Sequence, residues 1–162
     1  MTSDFNEATW LAEVEIRPMS VDDLDEVLEV ERQSFPSVWS RNSYERELRN
    51  DNSYYYVARA GERLVGYAGM WIVLDEAHIT TLAVDPGSRR RGLGGRLLGR
   101  MIDLARRHSV SRVTLEVRER NEAAIAMYRK LGFVEKGVLP GYYGDTGENG
   151  VVMWKSLEGE ED

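Results

Sequence analysis

A glycine-rich turn between an apolar strand and a long amphipathic helix constrains this chain more than any other segment. Residues 79–84 are apolar enough for a buried strand, and residues 89–95, with three arginines and three glycines, follow closely. A helix over residues 92–108 is predicted because apolar residues recur at helical spacing at Leu93, Leu97, Leu98, Met101, Ile102 and Ala105. A strand, a tight turn and a helix in this order favour an α/β fold.

The turn has the chemistry of an anion site. Glycines allow backbone N–H groups to approach a phosphate closely, and a helix N-terminus adds about half a positive charge. Arg89, Arg90 and Arg91 stand at this helix start and would oppose the helix dipole unless an anion neutralised them. The alternative interpretation is an ordinary surface helix with a basic first turn. We expect a polyanionic cofactor at this turn.

The turn does not match two common nucleotide-binding motifs. The phosphate loop of nucleoside triphosphatases carries a lysine and a hydroxyl residue after its glycines, and neither follows here. The dinucleotide fingerprint requires a third glycine, at the position that Leu97 occupies. Gly92 and Gly94 therefore indicate neither hydrolysis of a nucleoside triphosphate nor a dinucleotide-binding fold.

Composition narrows the remaining classes. The 162 residues suffice for one domain with a core of its own. The absence of cysteine excludes disulfides, a thiolate nucleophile and a thiolate metal site, and His78 and His108 lie far apart. The sequence contains no apolar run of about 18 residues and no signal-peptide pattern. We therefore expect a cytoplasmic protein with no metal and no membrane partner.

Charge is unevenly distributed along the chain. Residues 86–130 hold more than half of the 21 basic residues, although the net charge of the whole chain is −7. A bound polyanionic cofactor accounts for such a basic island. Nucleic acid would also bind a basic patch, but the acidic remainder argues against a general nucleic-acid binder. We expect no direct contact with nucleic acid.

Periodicity along the chain predicts the order β-α-α-β-β-β-α-β-α-β-β, a mixed sheet with helices on both faces. The predicted strands cover residues 14–17, 54–58, 64–73, 78–84, 112–117, 134–139 and 151–157. The predicted helices cover residues 21–34, about 40–50, 92–108 and 122–131, and a loop covers 140–149. We expect a flexible leader at 1–12, one domain at 13–157 and an acidic tail at 158–162.

Two segments resemble a known superfamily. Arg89, Gly92 and Gly94 match the pattern Arg/Gln-x-x-Gly-x-Gly/Ala, and the turn thereby resembles the GNAT superfamily of acyl-CoA N-acyltransferases. The segment at 115–133 is similar to RimI-type bacterial, archaeal and eukaryotic N-terminal acetyltransferases. It reads Leu115-Glu116-Val117-Arg118-x-x-Asn121-x-x-Ala124-Ile125-x-x-Tyr128-x-x-Leu131-Gly132-Phe133. Residues 139–145 resemble the Gly-Tyr-Tyr loop of the same group. The resemblance covers residues 13–157 and implies the GNAT fold, with a splayed sheet.

The resemblance implies acetyl-CoA as cosubstrate, held chiefly by the main chain. The pantetheine arm would pair with the backbone of Leu82, Ala83 and Val84, which requires a gap between strands 78–84 and 112–117. Asn121 would cap its helix and contact the same arm, although capping alone explains it. The residues implied for the pyrophosphate are Arg89, Arg90, Arg91, Gly92, Leu93, Gly94 and Gly95.

Three residues are candidates for proton transfer. Glu116 lies between Leu115 and Val117, where a carboxylate must face a cleft or be paired. The resemblance makes it a general base acting through water, and a salt bridge to Arg118 or Arg120 is the alternative. Tyr128 would lie near the thioester and protonate the leaving thiolate, or is simply a packed aromatic. His78 would join Glu116 in a water relay, or is a partly exposed histidine without a catalytic role.

The remaining candidates concern the acceptor. Tyr142 and Tyr143 would grip the substrate backbone, and Phe35, Pro36 and Trp39 would form the opposite wall; packing alone explains both sets. The resemblance implies direct transfer to the N-terminal α-amine of a protein beginning with Ala, Ser or Met, a ribosomal protein being one candidate. Lysine or small-molecule acetylation, and a non-catalytic CoA-sensing module, are the alternatives.

Overall fold

The computed structural model describes residues 9–159. Within these residues, a helical turn at 9–13 precedes seven strands and four helices in the expected order β-α-α-β-β-β-α-β-α-β-β, which confirms the predicted fold class. The strands are β1 (Glu15–Pro18), β2 (Ser53–Ala60), β3 (Arg63–Val73), β4 (Glu76–Val84), β5 (Arg112–Arg118), β6 (Val134–Tyr143) and β7 (Glu148–Ser156). The helices are α1 (Leu24–Ser34), α2 (Arg41–Leu48), α3 (Leu93–Arg107) and α4 (Glu122–Lys130).

The strands form a single mixed sheet in the order β1-β2-β3-β4-β5-β7-β6. All neighbouring strands are antiparallel except β4 and β5, which are parallel because α3 carries the chain from one to the other. Alternation along the strands directs side chains to two cores. Tyr67 packs with α1 and α2, whereas Ala68 and Met70 pack with α3 and α4 on the opposite face. The helices thus cover both faces, as predicted.

The sheet opens between its two parallel strands. The β4–β5 ladder comprises only the pairs Glu76–Arg112, Ala77–Val113 and His78–Thr114. Beyond these pairs, β4 remains bonded to β3 as far as Val84, and β5 remains bonded to β7 as far as Arg118. Each strand therefore follows its own antiparallel partner, and the edges that face each other after His78 do not pair. The predicted gap is confirmed.

The expected loop at 140–149 is wrong. Strands β6 and β7 continue through most of it, and only residues 144–147 connect them. The ladder shifts register between Leu139 and Tyr143, so the strand absorbs Pro140 and the left-handed Gly141 (φ 60°) as a bulge. Asn149 stabilises this bulge because its side-chain oxygen accepts a hydrogen bond of 2.9 Å from the Gly141 N–H.

The chain ends differ in part from the expected leader and tail. Residues 9–13 form a helical turn rather than a loose leader, because Trp10 and Leu11 pack against the core that contains α3. The rest of the expected leader, residues 1–8, lies outside the described residues, as do residues 160–162 of the expected acidic tail. None of the helices in the described part of the chain is both long and apolar enough to span a bilayer.

Candidate active site

The glycine turn leads from the end of β4 into α3 at the sheet opening. Arg90 (φ 62°) and Gly92 (φ 86°) both have left-handed backbone conformations, and such residues orient successive N–H groups into an anion-binding concavity. Gly92 is also the N-cap of α3, whose first turn contains no acidic residue. The positive end of the helix dipole is therefore uncompensated by the helix itself.

The three arginines of the turn have different surroundings. Arg89 donates hydrogen bonds from Nε to the Val84 carbonyl oxygen (2.9 Å) and from Nη2 to Ser34 Oγ (3.1 Å), so it fastens the turn to β4 and α1. The Arg91 guanidinium lies 3.6 Å from the centroid of the Trp10 ring. Arg90 is exposed. Arg89 thus has a structural role, and its contact with a phosphate stays a prediction.

Gly94 brings α3 close to α4. A Cβ atom at this position would lie 3.2 Å from Met127 Sδ, which is tighter than ordinary van der Waals contact. The glycine therefore allows the two helices to meet beside the opening between β4 and β5. Both helix N-termini and the facing strand edges belong to the same end of the sheet.

His78 and Glu116 meet directly across the opening. His78 Nε2 lies 2.9 Å and 3.1 Å from the two carboxylate oxygens of Glu116. The register explains this contact, because His78 pairs with Thr114 and Glu116 lies two residues further along the same side of β5. The two side chains share a direct hydrogen bond, and the participation of His78 with Glu116 in a water relay stays a prediction.

The same carboxylate has a second partner. The Tyr142 hydroxyl donates a hydrogen bond of 3.3 Å to Glu116 Oε1. The hydrogen bond from His78 lowers the pKa of Glu116 below its usual range, while partial burial opposes this effect. Burial and the Glu116 charge raise the pKa of Tyr142. Glu116 is thus an ionised carboxylate that remains partly open to the cleft, with side-chain exposure of 21%.

Gly150 makes room for Tyr142. A Cβ atom on Gly150 would lie 2.9 Å from Tyr142 Cδ2 and 3.2 Å from Tyr142 Cβ. The Tyr142 ring therefore packs over the backbone of β7 at Gly150, a position without a side chain. The bulge in β6 orients the Tyr142 hydroxyl toward Glu116. Burial raises the pKa of the adjacent Tyr143 to about 12, and its ring packs edge-on against that of Tyr142 at 5.0 Å.

Arg118 does not pair with Glu116. Its guanidinium binds Asp145 through two hydrogen bonds of 3.1 Å and 2.8 Å and lies 4.1 Å from the Tyr143 ring centroid. That bond lowers the pKa of Asp145 to about 2. The alternative interpretation of Glu116 as the partner of Arg118 is therefore wrong, and the carboxylate is left for the cleft.

Tyr128 belongs to α4, and Asn121 is the N-cap of that helix. Tyr128 is buried in the core that also contains α3 residues, with its ring 5.8 Å from that of Phe133, and burial raises its pKa to about 12. It forms no hydrogen bond with Glu116 or His78. The Asn121 side chain accepts a hydrogen bond of 3.2 Å from the Ala124 N–H, which confirms its capping function. The contact of Asn121 with a pantetheine arm stays a prediction.

Two loops that carry candidate acceptor residues or flank them are in contact. One connects α1 to α2 and contains Phe35, Pro36 and Trp39; the other is the β6–β7 turn. A hydrogen bond of 3.0 Å from Ser37 Oγ to Asp145 Oδ2 joins them. Trp39 packs on Tyr44 at 5.2 Å. The loops next to the two predicted walls are thus in contact, and the acceptor groove between the walls stays a prediction.

Sequence reasoning missed several residues that support this groove. Asp145 and Ser37 carried no local signal, since they are 108 positions apart. Glu47 accepts a hydrogen bond from the Trp71 indole, and the Trp71 ring lies 5.9 Å from the His78 ring. Glu31 did have a signal: it lies seven residues after Leu24 and therefore on the apolar face of α1.

Among residues 9–159, no group of three His, Asp or Glu side chains is suited to hold a metal ion. Residues 79–84 of β4 expose one main-chain edge to the gap, the glycine turn lies at its end, and Glu116 lies on its other side.

Comparison with known proteins identifies the family. Residues 24–133 match the acetyltransferase (GNAT) family. The chain is 37% identical over 143 residues to a putative ribosomal protein bS18-alanine N-acetyltransferase of Bacillus subtilis, covering 88% of this chain and 95% of that protein.

Solved structures agree with this match. The ribosomal-protein-S18-alanine N-acetyltransferase of Escherichia coli aligns with a TM-score of 0.83 at 29% identity, covering 92% of this chain and 97% of that one. Arabidopsis thaliana NAA60, solved in complex with acetyl-CoA, shares the fold with a TM-score of 0.81 at 20% identity, covering 90% and 99%. With its GNAT topology, split sheet and glycine turn, this chain belongs to the GNAT family of acetyltransferases.

Proposed function

We propose that this protein transfers the acetyl group of acetyl-CoA to the N-terminal α-amine of a protein, and that residues 13–157 form the catalytic domain. The observation that carries the proposal is the gap between β4 and β5, which has the glycine turn at its end and Glu116 on its wall. The names of the Bacillus and Escherichia relatives supply the substrate class, and a ribosomal protein is the first candidate.

The residues at the gap fit acetyl-CoA. The left-handed residues Arg90 and Gly92 and the start of α3 offer N–H groups to a pyrophosphate. The free edge of β4 offers the main chain of Leu82, Ala83 and Val84 to the amides of a pantetheine arm, as another strand would. When bound, acetyl-CoA supplies an acetyl group activated as a thioester.

Glu116 is the general base of the proposed reaction. Its carboxylate is ionised, partly accessible and held by His78 and Tyr142, so it can take a proton from an incoming ammonium group directly or through one water. His78 positions the carboxylate through the hydrogen bond from Nε2. The freed amine forms the new C–N bond as the C–S bond breaks.

Tyr128 is the hydrogen-bond donor to the leaving sulfur. Its raised pKa keeps the phenol protonated at neutral pH, and because the reference pKa of a thiol is only about 8.5, the sulfur leaves as a thiolate that this hydrogen bond stabilises, without full proton transfer. The chain has no cysteine that could carry the acetyl group. Direct transfer with both substrates bound is the route that these residues support, and positioning then provides much of the rate.

A single carboxylate suits an α-amine better than a lysine side chain. An α-amine has a pKa of about 7.8 and a lysine ε-amine about 10.4, so freeing the lysine nitrogen costs roughly 3.5 kcal/mol more. The groove between Trp39 on one wall and Tyr142 and Tyr143 on the other would receive the first residues of an extended chain.

The test uses peptides that differ only in their first residue, Ala, Ser or Met. Each peptide has a matched control peptide in which the α-amine is blocked and one internal lysine is the amine left free. With acetyl-CoA and the purified protein, mass spectrometry should find acetyl groups on the free peptides and none on the blocked control peptides. Acetylation of the blocked control peptides would instead support a lysine acetyltransferase, and cofactor binding without any transfer would support a non-catalytic CoA-sensing module.

A further inference from the structure

Glu31 is a buried carboxylate that the reaction itself does not use. It lies in the last turns of α1, is 3% exposed, and accepts hydrogen bonds from three elements. The Tyr67 hydroxyl of β3 (3.0 Å) and the Tyr44 hydroxyl of α2 both donate to Oε1, and the Trp39 backbone N–H donates to Oε2. Burying a carboxylate is costly unless its oxygens are satisfied, and here three donors satisfy them.

Glu31 fastens both ends of the loop that forms one groove wall. Its backbone carbonyl accepts a hydrogen bond of 3.0 Å from the Phe35 N–H, and its carboxylate holds the Trp39 N–H. The intervening residues reach outward, and Ser37 contacts Asp145 on the opposite wall. Glu31 therefore constrains the conformation of the 35–39 loop at both of its ends.

The hydrogen bonds also orient the aromatic residues behind the loop. The Tyr44 ring packs edge-on against Tyr67 at 6.4 Å and tilts against Trp39 at 5.2 Å. Because Tyr44 and Tyr67 bind the same carboxylate oxygen, the rings and the loop share one anchor. A change at that anchor would move the Trp39 side of the groove and leave the glycine turn in place.

We infer that Glu31 is a positioning residue for the acceptor: it holds the 35–39 loop in the shape that receives the first residue of the substrate. This inference rests on the proposed transfer to an N-terminal α-amine. Glu31 acts through the loop and touches no reacting atom, so it governs the KM for the peptide and its first-residue preference. Glu31 does not determine the affinity for acetyl-CoA or the kcat at saturating peptide.

Two substitutions at Glu31 separate hydrogen bonding from packing. Glu31→Met keeps the volume and removes both acceptor oxygens, so the Trp39 N–H loses its partner. In Glu31→Gln, the amide oxygen can still accept the hydrogen bond from the Trp39 N–H. The amide NH2 then faces the two tyrosine hydroxyls, and it can donate to them because a hydroxyl oxygen also accepts. The expected KM for the peptide rises about tenfold in Glu31→Met, as for loss of one charge-assisted hydrogen bond, and changes much less in Glu31→Gln.

Asp23→Asn is the matched control. Asp23 is also a buried carboxylate, at 1% exposure, but it binds Arg17 and Arg59 at the other end of α1 and touches no residue of the loop. The Asp23→Asn substitution should lower the melting temperature without changing the KM for the peptide. The inference is overturned if Glu31→Met leaves KM unchanged, or if Glu31→Met and Glu31→Gln raise it equally.

Hydrogen exchange of the unsubstituted protein keeps the inference testable if Glu31→Met does not fold. The Trp39 amide should exchange at least tenfold more slowly than the exposed amides of residues 37 and 38. Equal exchange at all three positions would contradict the anchor. Failure of the proposed function would look different, since the unsubstituted protein would then acetylate no free α-amine while the Trp39 amide remained protected.

Discussion

Replacing Gly92 by alanine tests the glycine turn at its glycine with a positive φ. Gly92 has φ 86° and forms the N-cap of α3, and a residue with a Cβ atom pays about 1–2 kcal/mol for such a left-handed conformation. The added Cβ would also lie 3.2 Å from Leu11 Cδ2. The melting temperature should therefore fall by about 2–8 °C for a chain of this length.

The same substitution should weaken acetyl-CoA binding. If the alanine relaxes toward negative φ, one N–H group turns away from the pyrophosphate. A hydrogen bond to a charged group contributes about 1.5–3 kcal/mol, so the dissociation constant should rise about 10- to 100-fold. Isothermal titration calorimetry with acetyl-CoA measures this change, and thermal unfolding measures the loss of stability.

Gly99→Ala is the control in the same helix. Gly99 lies in the interior of α3 with no positive φ, and a Cβ there would have no atom within 4 Å. It should raise the stability by about 0.5–1 kcal/mol and leave acetyl-CoA affinity unchanged. An unchanged affinity in Gly92→Ala, together with the expected loss of stability, would refute the assignment of this turn to the pyrophosphate.

The remaining predictions concern proton transfer at the cleft. Glu116→Gln should lower kcat by about 10²–10⁴-fold because it removes the general base, with calorimetric acetyl-CoA affinity near normal; weaker cofactor binding at unchanged turnover would contradict that role. Tyr128→Phe should lower kcat while preserving the fold, and a steady-state rate equal to that of the unsubstituted protein would leave Tyr128 as a packing residue. The pKa of Glu116 lies below its ordinary value of 4.5, so its charge stabilises the fold above that pH and the contribution is lost as pH falls through the lower folded-state pKa. The unfolding free energies of the unsubstituted protein and Glu116→Gln, from urea denaturation, should therefore differ at pH 6 and converge toward pH 3; a difference that grows on acidification would reverse the sign.

The fold could be predicted because local patterns dominate it. The apolar stripe from Leu93 to Ala105 is buried as its spacing indicates, and Ser40 and Asn121 cap the helices that follow them. The strand extensions over residues 140–143 escaped prediction, because Pro140 and Gly141 are turn residues by local preference. Pairing with β7 and the clamp from Asn149 overrode that preference.

The contacts among the candidate residues could not be predicted from the sequence. Glu116 stood out as a carboxylate within an apolar strand and His78 as the first residue of the predicted strand 78–84, but their direct hydrogen bond depends on the register of β4 against β5. Likewise, the link between Ser37 and Asp145 requires two loops from distant parts of the chain to meet. Such contacts depend on tertiary packing, which sequence periodicity does not encode.

Hydrogen exchange of the backbone amides with and without acetyl-CoA tests the central claim most directly. The split sheet and glycine turn predict that saturating acetyl-CoA slows exchange at residues 82–84 and 90–95, and leaves the far edge at β1 unchanged. Unaltered exchange at both segments, under conditions where acetyl-CoA is bound, would contradict the assignment of the opening between β4 and β5 to the cofactor.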